Sequence, residues 1–147
     1  MVMNTAAGKK RVLFLCTHNS ARSQMAEGLL RYLKGGVYEV FSAGTEPSGV
    51  HPLAIEAMRE IGVDISDQRS KSLREYDGQV FDLVVTLCDG AHAECPHFPG
   101  AKVMMHRGFA DPSSEDIAAF RNCRDEIRKW LETDDISTQT PRPRISF

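Results

Sequence analysis

Cys16 and Arg22 bracket the segment Cys16-Thr17-His18-Asn19-Ser20-Ala21-Arg22-Ser23, a thiol and a guanidinium six positions apart. Five intervening residues let a loop wrap until its backbone N–H groups aim at one centre, and a helix starting at Arg22 adds its partial positive charge. Arg22 offers a planar fork that matches two oxygens of a tetrahedral anion. Thr17, His18, Asn19, Ser20, Ala21, Arg22 and Ser23 are therefore expected to bind the substrate, with no metal. The field that holds an anion also lowers a thiol pKa, so Cys16 is expected to be a thiolate near neutral pH. The departing oxygen of such a substrate needs a proton donor, and Asp111, fixed by Pro112, is the candidate.

Three further cysteines stand at positions 88, 95 and 123. Cys88 and Cys95 enclose Asp-Gly-Ala-His-Ala-Glu. In helical form they would share a face but lie about 10 Å apart along the axis. A disulfide needs Cα atoms within about 7 Å, so the two can bond only if the segment leaves helical form. Gly90, two alanines and Pro96 favour that change, which suggests a segment with two states. Cys88, His92, Cys95 and His97 could be read as four zinc ligands, but their spacing matches no usual zinc pattern. Cys123 falls in step with Phe120 and Ile127 on one helical face and reads as a buried core residue.

These side chains need a scaffold, and the chain supplies alternating patterns. RVLFL at 11–15, YEVFSA at 38–43, DLVVTL at 82–87 and KVMMH at 102–106 read as strands. Helical periodicity runs from Arg22 to Leu33 and from Pro52 to Ile61. A last helix starts near Ser113-Ser114, whose side chains make good N-caps, and carries Ile117, Phe120, Ile127, Trp130 and Leu131. The stretch 72–79 is ambiguous. Strands alternating with helices imply a parallel sheet covered on both faces, with ligands outside the carboxyl ends of the strands. Cys16 follows the first strand, Cys88 the third, and Asp111 lies just past the fourth, so the three should converge on one sheet edge.

At 147 residues, with 41% hydrophobic and 26% charged residues, the chain suits one globular domain and not a disordered or fibrous class. A net charge of −2 gives no sign of a general nucleic-acid or membrane-surface binder. Four cysteines invite a disulfide framework, which needs an oxidising compartment. The apolar run after Lys9-Lys10-Arg11 is shorter than the roughly 7–15 residues of a signal-peptide core. A cytoplasmic protein is expected. Its domain spans 11–132, between polar termini at 1–10 and 133–147.

CTHNSARS followed by QMAEG, SAGT at 42–45 and the Asp-Pro pair at 111–112 resemble the low-molecular-weight protein tyrosine phosphatase superfamily. The segments LVVTLCDGAHAEC and CPHFPGAKVMMHRGFADP resemble its redox branch, the thioredoxin-coupled arsenate reductases. The resemblance implies a single-domain α/β, flavodoxin-like fold with a four-stranded parallel sheet of order 2-1-3-4. It implies Cys16 as nucleophile, Arg22 as oxyanion clamp, Asp111 as general acid, and Asn19 and Ser23 as loop and thiolate supports. Phosphatases of this superfamily carry a second loop cysteine where Ala21 stands, often Gly in place of His18, and Tyr in place of Ser113. Those departures weigh against phosphotyrosine as the natural substrate.

The same resemblance gives the remaining cysteines a relay. Cys16 would attack arsenate, Cys88 would displace arsenite, and Cys95 would take the oxidation to an exposed Cys88–Cys95 disulfide. No bound cofactor is implied, and electrons would come from thioredoxin, or from glutaredoxin and glutathione. Two competing readings are a phosphatase working through a Cys16 phosphocysteine and a non-enzymatic metal- or oxyanion-binding sensor. Cys88→Ser would leave the phosphatase intact, whereas stoichiometric zinc without turnover would indicate the sensor.

Overall fold

The computed structural model describes residues 8–94, 97–113 and 115–133. Its elements run β1 (Lys10–Cys16), α1 (Arg22–Lys34), β2 (Tyr38–Gly44), α2 (Pro52–Arg59), a 3₁₀ turn (Leu73–Tyr76), β3 (Phe81–Thr86), α3 (Asp89–Glu94), β4 (Ala101–His106) and α4 (Ile117–Thr133). The four strands form one parallel sheet in the order β2-β1-β3-β4. Parallel strands need crossovers: α1 lies between β1 and β2, α2 between β2 and β3, and α3 between β3 and β4, and α1, α2 and α4 bury one face of the sheet.

Side chains alternate along the central strand as a pleated backbone requires. Val12 and Phe14 face Met25, Leu29 and Leu30 of α1 and Phe120, Ile127 and Trp130 of α4. Leu13 and Leu15 face the other way, against Ala43, Phe81, Val84 and Phe98. The Phe14 and Trp130 rings meet edge to face at 6.3 Å. Each fully buried side chain of this size contributes about 1.5–3 kcal/mol. Both faces of β1 and β3 are covered, which explains why Val12–Leu15 and Leu83–Val85 are continuous apolar runs and not alternating ones.

The ends of two helices differ most from expectation, and the strands shift by a residue at one end or both. The last helix begins at Ile117, not near Ser113-Ser114: Asp116 Oδ1 accepts the Ala118 N–H at 3.1 Å and caps it. The Ser113 N–H instead reaches Asp111 Oδ1 at 2.9 Å, and Ser114 lies outside the described residues. The second helix stops at Arg59, before Ile61, because Val63 N–H turns back to Met58 O at 3.0 Å across Gly62, at φ 82°. The first strand takes in Lys10, and the ambiguous stretch resolves as the short 3₁₀ turn. The polar tail lies outside the described residues beyond Thr133. Among the described residues, no helix is long and apolar enough to cross a membrane.

Candidate active site

The loop between β1 and α1 is anchored by its carbonyls. Thr17 O accepts from Glu46 N at 2.7 Å, His18 O from Ser48 N at 3.1 Å and Ser70 Oγ at 3.0 Å, and Ser20 O from His51 N at 3.0 Å. Asn19 O accepts from Gln24 Nε2 at 3.0 Å. A trans peptide sets its N–H opposite its C=O, so the anchored loop presents donors on the edge away from these partners. Ala21 precedes α1 without a side-chain cap, which leaves the first helical N–H groups to other acceptors.

Asn19 takes the left-handed backbone region at φ 48°, which Asn tolerates better than most residues. Its side chain is fully buried and holds the loop's shape. Nδ2 donates to Ser23 Oγ at 2.7 Å and Ser42 Oγ at 3.0 Å, and Oδ1 accepts from Lys71 N at 2.8 Å. β2 must come very close here. A Cβ on Gly44 would lie 2.7 Å from Thr17 O and 2.9 Å from Asn19 N, so only glycine fits.

Arg22 Nη1 donates to Phe109 O at 2.8 Å, and Nη2 lies 3.6 Å from Asp111 Oδ2. Arg22 Nε is buried and, among the described residues, has no protein hydrogen-bond partner. A guanidinium fixed at one end with an unmatched buried N–H suits a charged oxygen supplied from outside the chain. Arg22, Thr17, Cys88, Asp89, Phe109 and Asp111 line a cleft of about 490 Å³ at the carboxyl ends of the strands. Burial raises the Asp111 pKa, but the Ser113 hydrogen bonds, Arg22 and His18 outweigh it and hold the carboxyl below its ordinary value. Asp111 therefore rests as a carboxylate.

Cys16 and Cys88 meet under this loop. Leu87 N–H donates to Leu15 O at 2.8 Å, so the β1–β3 register runs on past Thr86 and carries Cys88 to the level of Thr17, one residue beyond Cys16. The Cys16 thiol donates to the Cys88 sulfur. That hydrogen bond, with burial, pushes Cys16 well above the usual thiol range despite Arg22 and the Ser23 N–H. Cys88 falls to about 4, chiefly through the hydrogen bond from Cys16, against burial and with support from Thr17 and the Ala91 N–H. Thr17 Oγ1 lies 3.3 Å and Ala91 N 3.4 Å from the Cys88 sulfur. The two thiols therefore titrate as a pair, and the hydrogen bond from Cys16 draws their shared negative charge toward Cys88.

Cys88 immediately precedes α3, so the helix beginning at Asp89 points its N–H groups back at the sulfur. Gly90 passes so close to the loop that a Cβ there would lie 2.6 Å from Thr17 Oγ1. Cys95 lies outside the described residues. Cys123 packs in the core with its thiol pushed up to about 12 by burial. His18 is exposed at the loop rim, with Nδ1 3.0 Å from Glu46 O. Among the described residues no group of three His, Cys, Asp or Glu is placed to hold a metal ion.

Several polar residues at the site carried no sequence signal. Glu27 and Lys71 are buried beneath the loop beside Ser42. Glu27 interrupts the apolar face of α1, the one hint available, and Ser42 belongs to the SAGT segment. His106, at the end of β4, reaches Thr86 Oγ1 at 2.8 Å and Asp89 Oδ1 at 3.2 Å, and stacks on His92 at 4.3 Å. It thereby ties α3 to the sheet.

Comparison with known proteins agrees with this geometry. The profile of the low molecular weight phosphotyrosine protein phosphatases matches residues 11–134. Arsenate reductase of Halalkalibacterium halodurans is 48% identical over 131 residues, covering 85% of this chain and 94% of that protein. Arsenate reductase 1 of Staphylococcus epidermidis is 46% identical over 125 residues, covering 85% and 95%. A solved structure of an arsenate reductase in the phosphate-binding state superposes with a TM-score of 0.73 at 35% identity, covering 84% of this chain and 94% of the other.

Proposed function

Because the chain belongs to the low molecular weight phosphotyrosine protein phosphatase family, and a second sulfur touches its loop cysteine, we propose that it is an arsenate reductase. The observation that carries this reading is the seat of Cys88 against the loop, its sulfur 3.3 Å from Thr17 Oγ1 and next to Cys16. A phosphatase needs one thiol in the loop, whereas reduction needs a second thiol within reach of the first. The unit assigned to the reaction is 11–132. A relay that starts from free thiols calls for a reducing compartment, which assigns the protein to the cytoplasm.

The loop donors from Thr17 to Ser23 and the Arg22 guanidinium hold the oxyanion, with the buried Nε gaining its partner. Cys16 attacks arsenic and passes its proton along the existing hydrogen bond to Cys88. One arsenic–oxygen bond breaks, and the oxygen leaves as water. Asp111, a carboxylate at rest, takes a proton from the bound arsenate's hydroxyl and delivers it to that departing oxygen. Cys88 then attacks the Cys16 sulfur. The sulfur–arsenic bond breaks, and its electron pair stays on arsenic, which goes from the +5 to the +3 state. Arsenite leaves, taking up the Cys88 proton and others from water, and a Cys16–Cys88 disulfide remains.

Cys95 attacks Cys88, frees Cys16 and leaves a Cys88–Cys95 disulfide. An external dithiol protein of the thioredoxin type reduces it, with glutaredoxin and glutathione as the alternative donor. For Cys88 to meet Cys95, α3 must unwind from Thr17 and His106. Phosphate fits the same loop but cannot take the electron pair, so reduction and not binding separates the two anions.

The deciding experiment supplies arsenate, thioredoxin, thioredoxin reductase and NADPH. NADPH is consumed by the wild-type protein and not by Cys16→Ser, Cys88→Ser or Cys95→Ser. Sustained turnover by Cys88→Ser overturns the relay. Phosphomonoester hydrolysis unaffected by Cys88→Ser, with arsenate acting only as an inhibitor, establishes the phosphatase instead.

A further inference from the structure

The helix that follows Cys88 has little to hold it in place. α3 is six residues long, too short to persist by its own hydrogen bonds. Of its described side chains only Ala91 is buried, while Asp89, His92 and Ala93 are exposed. One methyl group is a small apolar anchor. At Gly90 the helix backs onto the loop, where a Cβ would meet Thr17 Oγ1 at 2.6 Å. Its other hold comes from a single side chain outside the helix, His106.

His106 closes β4, paired with Thr86 of β3. Its Nδ1 lies 2.8 Å from Thr86 Oγ1, which fixes the ring on the sheet. Nε2 then points at α3 and donates to Asp89 Oδ1 at 3.2 Å, since a carboxylate oxygen accepts. The ring face stacks on His92, with centroids 4.3 Å apart and planes 28° from parallel. Asp89 and His92 are three positions apart on a helix, so they stand on one face and one imidazole engages both.

We propose that His106 is a positioning residue that clamps α3 in helical form in the reduced protein and thereby raises the reduction potential of the Cys88–Cys95 disulfide. Two cysteines seven positions apart in a helix lie about 10 Å apart along its axis, beyond the reach of a disulfide. Forming the disulfide therefore ends the helix and releases Asp89 and His92 from His106 together. Contacts made only by the dithiol form stabilise that form against the disulfide. A disulfide whose reduced form is stabilised is a stronger oxidant, and an external dithiol reduces it more completely. His106 acts on the helix and through it on the sulfur. The inference rests on the Cys88–Cys95 disulfide of the relay, but not on arsenate being the substrate.

The test needs no arsenate. In the Cys16→Ser protein the thiols left to exchange are Cys88 and Cys95, with Cys123 buried in the core. The protein is equilibrated with mixtures of reduced and oxidised dithiothreitol, and free thiols are counted by alkylation and mass spectrometry. Each dithiothreitol gives two electrons and two protons to the disulfide and closes to its own cyclic disulfide. With the Asp89 side chain fully exposed and that of His106 29% exposed, the hydrogen bond and the ring stack together are worth about fivefold in an equilibrium constant. Adding His106→Ala should therefore shift the equilibrium about fivefold toward the disulfide, a potential about 20 mV lower. His92→Gln should shift it about twofold, and no further once His106 is gone. An unchanged or opposite shift in His106→Ala overturns the proposal, as do additive shifts in the double variant. If His106→Ala fails to fold, His92→Gln decides by the same equilibrium: a shift toward the disulfide supports the proposal, and none overturns it. Absence of any Cys88–Cys95 disulfide overturns the relay and the clamp together, whereas a disulfide at an unchanged potential removes the clamp alone. Failure of the NADPH assay with these shifts intact would remove the arsenate reading alone.

Discussion

The Cys16 thiol donates a hydrogen bond to the Cys88 sulfur, and this contact sets the ionisation of both. Cys88 is held at about 4 mainly by that donor, so it is ionised throughout the neutral range. Replacing Cys16 by Ala removes the donor and raises the Cys88 pKa. Iodoacetamide labelling of Cys88 at pH 5 should then fall at least about tenfold, the effect of one pKa unit at a pH below the new value. Labelling at the wild-type rate would show that Thr17 and the helix α3 N–H groups suffice.

Arg22→Lys removes the planar fork, the contact to Phe109 O and the buried Nε together. A lysine keeps the charge but cannot match two oxygens of one anion. kcat/KM for arsenate should fall about 100-fold, the usual consequence of losing an oxyanion donor. Inorganic phosphate, which stabilises the wild type against heating by mass action, should stabilise the variant far less. An equal phosphate-induced rise in Tm would place the anion elsewhere.

Glu60 joins α2 to α4 by pairing with Arg121 Nη2 at 2.6 Å and Arg124 Nη1 at 3.0 Å. The Arg121 hydrogen bond, opposed by burial and helped by Arg124, lowers its pKa from an ordinary 4.5 to about 2. A depressed folded-state pKa stabilises the fold fully above the unfolded value and is lost as pH falls through the folded one. Glu60→Gln should therefore lower Tm by a few degrees at pH 7 and lose that effect as the pH falls from 4.5 toward 2. Thermal melts across that range check it, and the pH 7 difference should shrink in high salt. A pH-independent difference would assign the effect to packing.

Sequence periodicity alone specified much of this protein. Unbroken apolar runs marked strands buried on both faces, and the loop from Cys16 to Ser23 announced an anion site because all its parts are contiguous. The ends of elements were less legible: α4 starts at Ile117 because Asp116 and not Ser113 supplies the cap, a choice between two good N-cap residues that local pattern cannot make. Tertiary structure alone decided where the charge rests. The pairing of Leu15 with Thr86 carries Cys88 to the level of Thr17, within reach of Cys16, and the hydrogen bond between the two thiols draws their shared charge toward Cys88. The Lys71–Glu27 pair is hidden for the same reason. Its members come from a helix and a distant loop, and ionisation depends on distances and burial that only the register of the folded sheet creates.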